Sequence, residues 1–122
     1  MKKISDYTSI EKHLLSKKGS YKDFPFGPGA AVYKVCNKMF AIMNLDNGIP
    51  HLNLKCDPDD AEVLRSIFKA VKPGYHMNKQ HWNSVYLDGS IQEGAVCQMI
   101  DDSYNLVVKG LRKVERNKLF II

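Results

Sequence analysis

Residues 30–56 contain the pattern that most restricts the fold of this 122-residue chain. Short apolar stretches are separated there by Asn37 and by Asp46-Asn47-Gly48, and both sites favour the left-handed backbone of a tight hairpin. In the last stretch leucines alternate with polar residues, a period of two that is typical of a strand with one buried face. His51 falls on the polar side and is expected to point to solvent rather than to act as a ligand. The predicted antiparallel strands are Ala30–Cys36, Lys38–Leu45 and Pro50–Cys56.

Two helices are marked by their starting residues. Thr8-Ser9-Ile10-Glu11 has the form of a capping box, and the first helix is expected to end at Gly19. Asp57-Pro58, followed by two aspartates, supplies a cap, a first-turn proline and negative charges that suit a helix start. Apolar residues at helical spacing extend this second helix to Val71, and Pro73-Gly74 then ends it.

A third helix is predicted from the capping box Ser90-Ile91-Gln92-Glu93 onwards. A break is expected at Asp101-Asp102-Ser103, because aspartate and serine favour caps and turns over helix interiors. The apolar tail Leu119–Ile122 is expected to dock on the body of the protein. Together these elements predict a single two-layer α+β domain over residues 1–122, of order α-β-β-β-α-β-β-α, with helices packed on an antiparallel sheet.

The segment Pro73–Val85 concentrates the unusual side chains of the chain, including its single tryptophan and two of its four histidines. Tyr75–Met77 and His81–Leu87 can pair as a hairpin with Asn78-Lys79-Gln80 at its tip. Aromatic, imidazole, amide and lysine groups in one local structure favour a recognition surface over a core strand. The candidate binding residues are Lys72, Tyr75, His76, Asn78, Lys79, His81, Trp82 and Asn83.

Composition narrows the class of protein further. No apolar run approaches the roughly 20 residues that span a bilayer, and no signal-peptide pattern follows the N-terminal lysines, so we expect a cytoplasmic protein. Cys36, Cys56 and Cys97 are odd in number and lack Cys-x-x-Cys spacing, which favours reduced thiols over disulfides or a zinc site. The net charge of +5 permits contact with a polyanion without requiring it.

A complete catalytic set is not recognisable in the sequence. Ser84, His81 and Asp88 are close along the chain, but strand alternation sends Ser84 and His81 to opposite faces. His76 and His81 can approach each other across the hairpin, yet no third metal ligand accompanies them. We therefore expect a non-catalytic protein without a metal or cofactor. It is expected to bind DNA or, alternatively, another protein or a small ligand.

Four short segments stand out as a set: Phe24-Pro-Phe-Gly27, Lys38-Met-Phe-Ala41, Tyr75-His-Met-Asn-Lys-Gln-His-Trp-Asn83 and Asp102-Ser-Tyr104. The set resembles the YjbR/MmcQ family of small bacterial proteins, and the resemblance covers nearly the whole chain. It implies a frataxin (CyaY)-like α+β fold and binding of duplex DNA through paired β-hairpin wings. A frataxin-like fold also raises the question of iron, but the first helix lacks the acidic ridge that iron binding would need.

Overall fold

The computed structural model describes residues 7–45 and 48–120. It has the predicted α+β class, with a six-stranded antiparallel sheet of strand order β1-β2-β3-β4-β6-β5. The order along the chain includes a short strand β1 and a helix α4 that the sequence patterns did not predict. The elements are α1 (Thr8–Ser16), β1 (Tyr21–Asp23), β2 (Ala30–Val35), β3 (Lys38–Asn44), β4 (His51–Lys55), α2 (Pro58–Ile67), β5 (Val71–Pro73), β6 (Trp82–Tyr86), α3 (Glu93–Lys109) and α4 (Lys113–Phe120).

The central strands agree with the prediction to within one residue at each end. Between β2 and β3, Cys36 and Asn37 adopt positive φ values of 48° and 66°, the left-handed conformation that the tight turn requires. In the next turn Asp46 and Asn47 lie outside the described residues, and Gly48 has a φ of 94°. Local turn chemistry therefore predicted this part of the sheet correctly.

All four helices contribute to one hydrophobic cluster on one face of the sheet. At its centre the fully buried Phe40 ring meets Tyr104 of α3 edge-on, with ring centroids 5.3 Å apart. Phe40 is the extra residue of a β-bulge in β3, where the pairing with β2 shifts register. The buried Ser103 hydroxyl donates to the Phe40 carbonyl at 2.6 Å and accepts from the Lys55 amide at 2.9 Å. The segments Lys38–Ala41 and Asp102–Tyr104 thus meet in the core.

The predicted C-terminal end of the second helix, residues 68–71, is wrong. Helix α2 ends at Ile67, whose side chain is 63% exposed, and Phe68 already has extended backbone angles. Val71 belongs to β5 and pairs with Val85 of β6, so its backbone bonds to the sheet instead of to a helix. The start of the helix is confirmed, because the Asp57 carboxylate accepts the Asp59 amide at 3.0 Å and Pro58 occupies the first turn.

The predicted break in the third helix is also wrong, and α3 runs unbroken. Its polar residues find partners outside the helix backbone, which removes their competition with helical hydrogen bonds. Asp101 accepts from Lys17 at 2.8 Å and lies 2.7 Å from His13 Nε2, both at the end of α1. Ser103 bonds to the sheet, as described above. The predicted cap at Ser90 does not form either, since Ser90 bonds to Asp88.

Helix α1 and the turn after it contact both the sheet and α4. The N-terminal capping box does not form, because the Glu11 carboxylate accepts instead from Lys22 at 2.6 Å and from the Tyr33 hydroxyl at 2.5 Å. These two hydrogen bonds, that of Lys22 foremost, hold the pKa of Glu11 below its ordinary value. Leu119 is half-buried against the core and lies beside Gly19, whereas residues 121–122 of the predicted tail lie outside the described residues.

Candidate functional site

The predicted hairpin exists with a different pairing. Strand β5 (Val71–Pro73), not Tyr75–Met77, is the first arm, and it pairs with β6. Residues 74–81 form a connecting loop of turns, which we call the wing loop. Gly74 is required at its start, because a Cβ there would lie 2.8 Å from the Trp82 Cβ and 2.9 Å from the Trp82 carbonyl oxygen. His76 has a positive φ of 59°, so the chain reverses there instead of continuing as a strand.

Most of the predicted binding residues lie at the surface. Trp82 is half-buried and is not part of the hydrophobic cluster, so it is neither a core residue nor a fully exposed one. The Asn78 side chain accepts the Gln80 amide within the wing loop at 3.0 Å, so it shapes a local turn. The exposed members of the set are Lys72, Tyr75, His76, Asn78, Lys79 and His81.

Asn83 is not a surface residue, which corrects the prediction. Its side chain is 2% exposed and faces the helices. Its carbonyl oxygen accepts from Arg65 Nε at 2.7 Å, and its amide donates to the Ala61 carbonyl at 3.3 Å. Both side-chain groups are therefore used to join β6 to α2, and neither can reach an external ligand in this fold.

Lys79 is exposed, but its amine does not extend into solvent as we expected for a residue at the hairpin tip. The amine folds back and donates to the Gly74 carbonyl at 3.2 Å. Arg65 Nη2 donates to the Lys79 carbonyl, so α2 also holds the loop at this residue. Lys79 was predicted to meet phosphates at the hairpin tip, but its amine and its carbonyl both form hydrogen bonds that stabilise the wing loop.

At Tyr75, the wing loop is hydrogen-bonded to the face of the sheet opposite the helices. We call this face the open face. The Ser84 hydroxyl donates to Asn53 and accepts the Tyr75 amide at 2.9 Å. The Asn53 amide donates to the Tyr75 carbonyl at 3.2 Å. The sequence patterns predicted a wet face for β4, and that prediction is wrong at Asn53 and His51, because these contacts and the Tyr75 ring cover them.

A cleft of about 450 Å³ lies on this open face, beside the anchored wing loop. One row of paired residues crosses its floor, since Ala30 pairs with Asn44, Asn44 with His51, and His51 with Tyr86. Apart from His51, none of the described lining side chains is ionisable near neutral pH. The residues that line the cleft are Phe26, Gly29, Ala30, Asn44, Ile49, His51, Tyr75 and Tyr86.

Two nitrogen atoms in the cleft wall have no hydrogen-bond partner. His51 Nε2 and Asn44 Nδ2 are both buried and unpartnered. The His51 ring is held in place by Tyr86, which stacks on it with centroids 4.7 Å apart, and by the edge-on Tyr75 ring at 5.9 Å. Buried polar atoms are nearly always paired in proteins. The two nitrogens are therefore the strongest indication of a binding site among the described residues.

Burial lowers the pKa of His51 below its ordinary value of 6.5, because the imidazolium would lose its hydration. As the pH drops below about 6.5, the unfolded chain binds a proton more readily than the folded chain does, so the free energy of unfolding should fall. We expect His51→Phe to remove this part of the acid sensitivity. Urea unfolding near pH 7 and near pH 5 tests it, with the exposed His81→Gln as control. Equal pH dependence in wild type and His51→Phe would contradict a buried neutral histidine.

The serine, histidine and aspartate considered as a catalytic set are not brought together. Ser84 bonds to Asn53 and Tyr75, Asp88 bonds to Ser90, and the His81 ring is exposed in the wing loop. Residues 7–45 and 48–120 contain no group of three or more His, Cys, Asp or Glu side chains placed to hold a metal ion. No helix in the same ranges is long and apolar enough to cross a membrane.

A second hollow of about 400 Å³ lies between α2 and α3 and contains Cys56 with Asp57, Asp60 and Asp102. Burial, with a further contribution from the aspartates, raises the pKa of the Cys56 thiol to about 11. The thiol is therefore protonated at neutral pH and is a weak nucleophile. Cys36, Cys56 and Cys97 are all half-buried, and no disulfide joins them within residues 7–45 and 48–120. That the thiols are reduced stays a prediction.

His51 and Asn44 are the functional candidates that sequence reasoning missed. Strand alternation placed His51 correctly on the face opposite the leucines, but that face was assumed to be wet. The available signal was the pair of Phe24-Pro-Phe-Gly27 and Tyr75-His76, two aromatic loop segments that flank the sheet. Phe26 and Tyr75 from these segments both line the cleft.

The fold and the cleft define a small α+β protein with an uncharged aromatic pocket on the open face of its sheet. The YjbR family model matches residues 15–106, and the chain belongs to this family. The uncharacterized protein YbdF of Escherichia coli O157:H7 is 43% identical over 96 residues, which cover 79% of each protein. The uncharacterized protein YjbR of Escherichia coli K12 is 33% identical over 93% of this chain and 96% of that protein.

Solved structures show the same fold. The crystal structure of a Deinococcus radiodurans protein of domain family DUF419 superposes with a TM-score of 0.84 at 33% identity, covering 93% of this chain and 86% of that one. A crystal structure from Pseudomonas syringae gives a TM-score of 0.71 at 26% identity, covering 83% of this chain and 97% of that one. The fold and the family are thereby established.

Proposed function

We propose that this protein is a non-catalytic binding module that takes a small, uncharged, planar molecule in the open-face cleft. The observation that carries the proposal is the pair of buried, unpartnered nitrogens, His51 Nε2 and Asn44 Nδ2, in the wall of one cleft. Leaving such groups unpaired costs about 1–3 kcal/mol each, a cost that a ligand able to hydrogen-bond to them would remove.

The walls of the cleft decide the kind of ligand. Phe26 and Tyr75 are exposed aromatic side chains at its edge, and Tyr86 lies deeper beside His51. Aromatic rings favour stacked or edge-to-face contact with another ring. A charged ligand would lose hydration without gaining an opposite charge, because the described lining residues supply none. The cleft therefore favours an uncharged ring.

Indole is a suitable probe, because it is planar and uncharged. We expect saturation-transfer NMR to detect its binding, with cyclohexanol and benzoate as the non-planar and charged controls. Phe26→Ala removes an edge contact from a side chain that is 67% exposed, and it should weaken binding of indole about threefold to tenfold. The matched control is Phe120→Ala on α4, another exposed phenylalanine that does not line the cleft. Absence of indole binding, or equal weakening by both substitutions, would contradict the proposal.

Duplex DNA is the second candidate ligand, and a specific feature favours it. Lys72 is exposed on the edge strand β5, directly before the wing loop with its exposed His76 and Asn78. A lysine there can neutralise a phosphate while the loop approaches a groove. The wings implied by the family resemblance would then include β5, the wing loop and β6.

Salt dependence tests the DNA hypothesis. If Lys72 contacts a phosphate, Lys72→Ala should reduce the slope of log K against log salt by about 1. Lys79→Ala should reduce it less, because the Lys79 amine already donates to the Gly74 carbonyl. Titration of duplex DNA from low to physiological salt measures both slopes, with the exposed Lys12→Ala on α1 as control. Equal slopes for wild type and Lys72→Ala would exclude Lys72 from the interface, and no binding at low salt would reject DNA.

Three further expectations remain predictions. The cytoplasmic location rests on the sequence arguments given above. The frataxin-like relationship rests on the family resemblance. A protein partner is the third candidate for the open face, and it becomes the leading one if neither indole nor duplex DNA binds.

A further inference from the structure

The two unpartnered nitrogens of the cleft are placed to act on a single ligand. Asn44 and His51 are directly paired residues of β3 and β4 and project from the same face. The Cβ atoms of such cross-strand neighbours lie about 4.5–5.5 Å apart. Tyr86 stacks on the His51 ring and fixes its plane. A planar molecule that reaches both nitrogens would pair them along one edge, since the two residues are neighbours on the same face.

The hydrogen-bonding role of each nitrogen follows from its chemistry. Asn44 Nδ2 can only donate, so the ligand must present an acceptor to it. A neutral histidine carries its proton on one ring nitrogen and accepts at the other. A buried N–H without a partner is rarer than a buried acceptor without one, and Nδ1 is not among the buried unpartnered atoms. We therefore assign the proton to Nδ1, which leaves Nε2 as an acceptor.

We propose that the cleft recognises the cyclic amide edge of a neutral planar heterocycle, whose carbonyl accepts from Asn44 and whose ring N–H donates to His51. This inference rests on the proposed function of the cleft and names the ligand class. Pyridone-type and pyrimidinone-type rings carry this edge, with an acceptor and a donor on adjacent ring atoms. Simple aromatic hydrocarbons fit the walls of the cleft but leave both nitrogens unpaired.

Two closely related probes separate this edge from general aromatic binding. 2-Pyridone has the carbonyl and the ring N–H, whereas N-methyl-2-pyridone keeps the ring and the carbonyl but has lost the N–H. We expect wild type to bind 2-pyridone about tenfold more tightly, because the methylated ring leaves His51 Nε2 without a donor. His51→Phe keeps an aromatic ring beside Tyr86 and removes the acceptor, so the preference should fall to about onefold. Chemical-shift titration by NMR gives all four dissociation constants and also shows whether His51→Phe is folded.

The outcomes distinguish two claims: that the cleft binds an uncharged ring, and that it recognises the amide edge of that ring. If indole and both pyridones fail to bind, the proposed function itself is wrong. If indole binds but wild type binds the two pyridones equally, the cleft binds aromatic rings and does not read an amide edge. If the preference for 2-pyridone persists in His51→Phe, the methyl group acts by size and His51 is not the acceptor. Asn44→Leu is a second variant for the same comparison, and it should weaken binding of both pyridones by removing the donor to their shared carbonyl.

Discussion

Replacing Asn83 by alanine is expected to lower the free energy of unfolding by about 2–4 kcal/mol, because it removes one buried hydrogen bond and one partly buried hydrogen bond to a charged group. The Asn83 side chain accepts from Arg65 and donates to the Ala61 carbonyl, so it joins strand β6 to helix α2. Arg65 also donates to the Lys79 carbonyl. The substitution should therefore loosen the wing loop as well as the contact between helix and sheet.

Urea unfolding of wild type and Asn83→Ala measures this effect. Asn78→Ala is the matched control, because Asn78 is exposed and its side chain accepts from the Gln80 amide within the same loop. We expect its effect to stay within about 1 kcal/mol. If Asn83→Ala were as stable as wild type and lost only ligand or DNA binding, Asn83 would be a recognition residue, as its place in the sequence first indicated.

Replacing Ser103 by alanine is expected to destabilise the fold by about 2–4 kcal/mol, since two buried backbone groups lose their partner at once. The Ser103 hydroxyl serves the Phe40 carbonyl in the β-bulge and the Lys55 amide at the end of β4. Ser103 is 0% exposed, so we do not expect water to replace the lost hydroxyl. In urea unfolding, a lower midpoint with an unchanged slope would show a loss of stability without a change in the surface exposed on unfolding.

Ser66→Ala on α2 is the control for this second prediction. Ser66 is exposed, and its hydroxyl bonds only within its own helix, to the Val63 carbonyl at 2.7 Å. The gain in helix propensity from serine to alanine is common to both substitutions. Ser66→Ala is therefore expected to change stability by no more than about 0.5 kcal/mol. Similar effects of the two substitutions would mean that Ser103 does not support the bulge.

The candidate site shows which part of function the sequence predicted. It placed an aromatic and polar recognition segment between α2 and α3, and six of the eight proposed residues are exposed there. It also assigned Asn83 to the surface and left His51 to solvent, and both assignments are wrong. Period two tells which face of a strand a residue is on, but it cannot tell what covers that face. Tyr75 covers His51 from 24 positions further along the chain.

The sequence by itself determined the elements whose signals are local. The hairpin turn at Asn37 and the start of α2 at Asp57-Pro58 depend on backbone conformations and caps set by a few neighbouring residues. Residues far apart in sequence decided the rest. Val71 became a strand because Val85 pairs with it, α3 continued through Ser103 because Phe40 accepts its hydroxyl, and the cleft formed where two loops meet the open face. Such contacts override local preference because a buried backbone or polar group must find a partner wherever the fold supplies one.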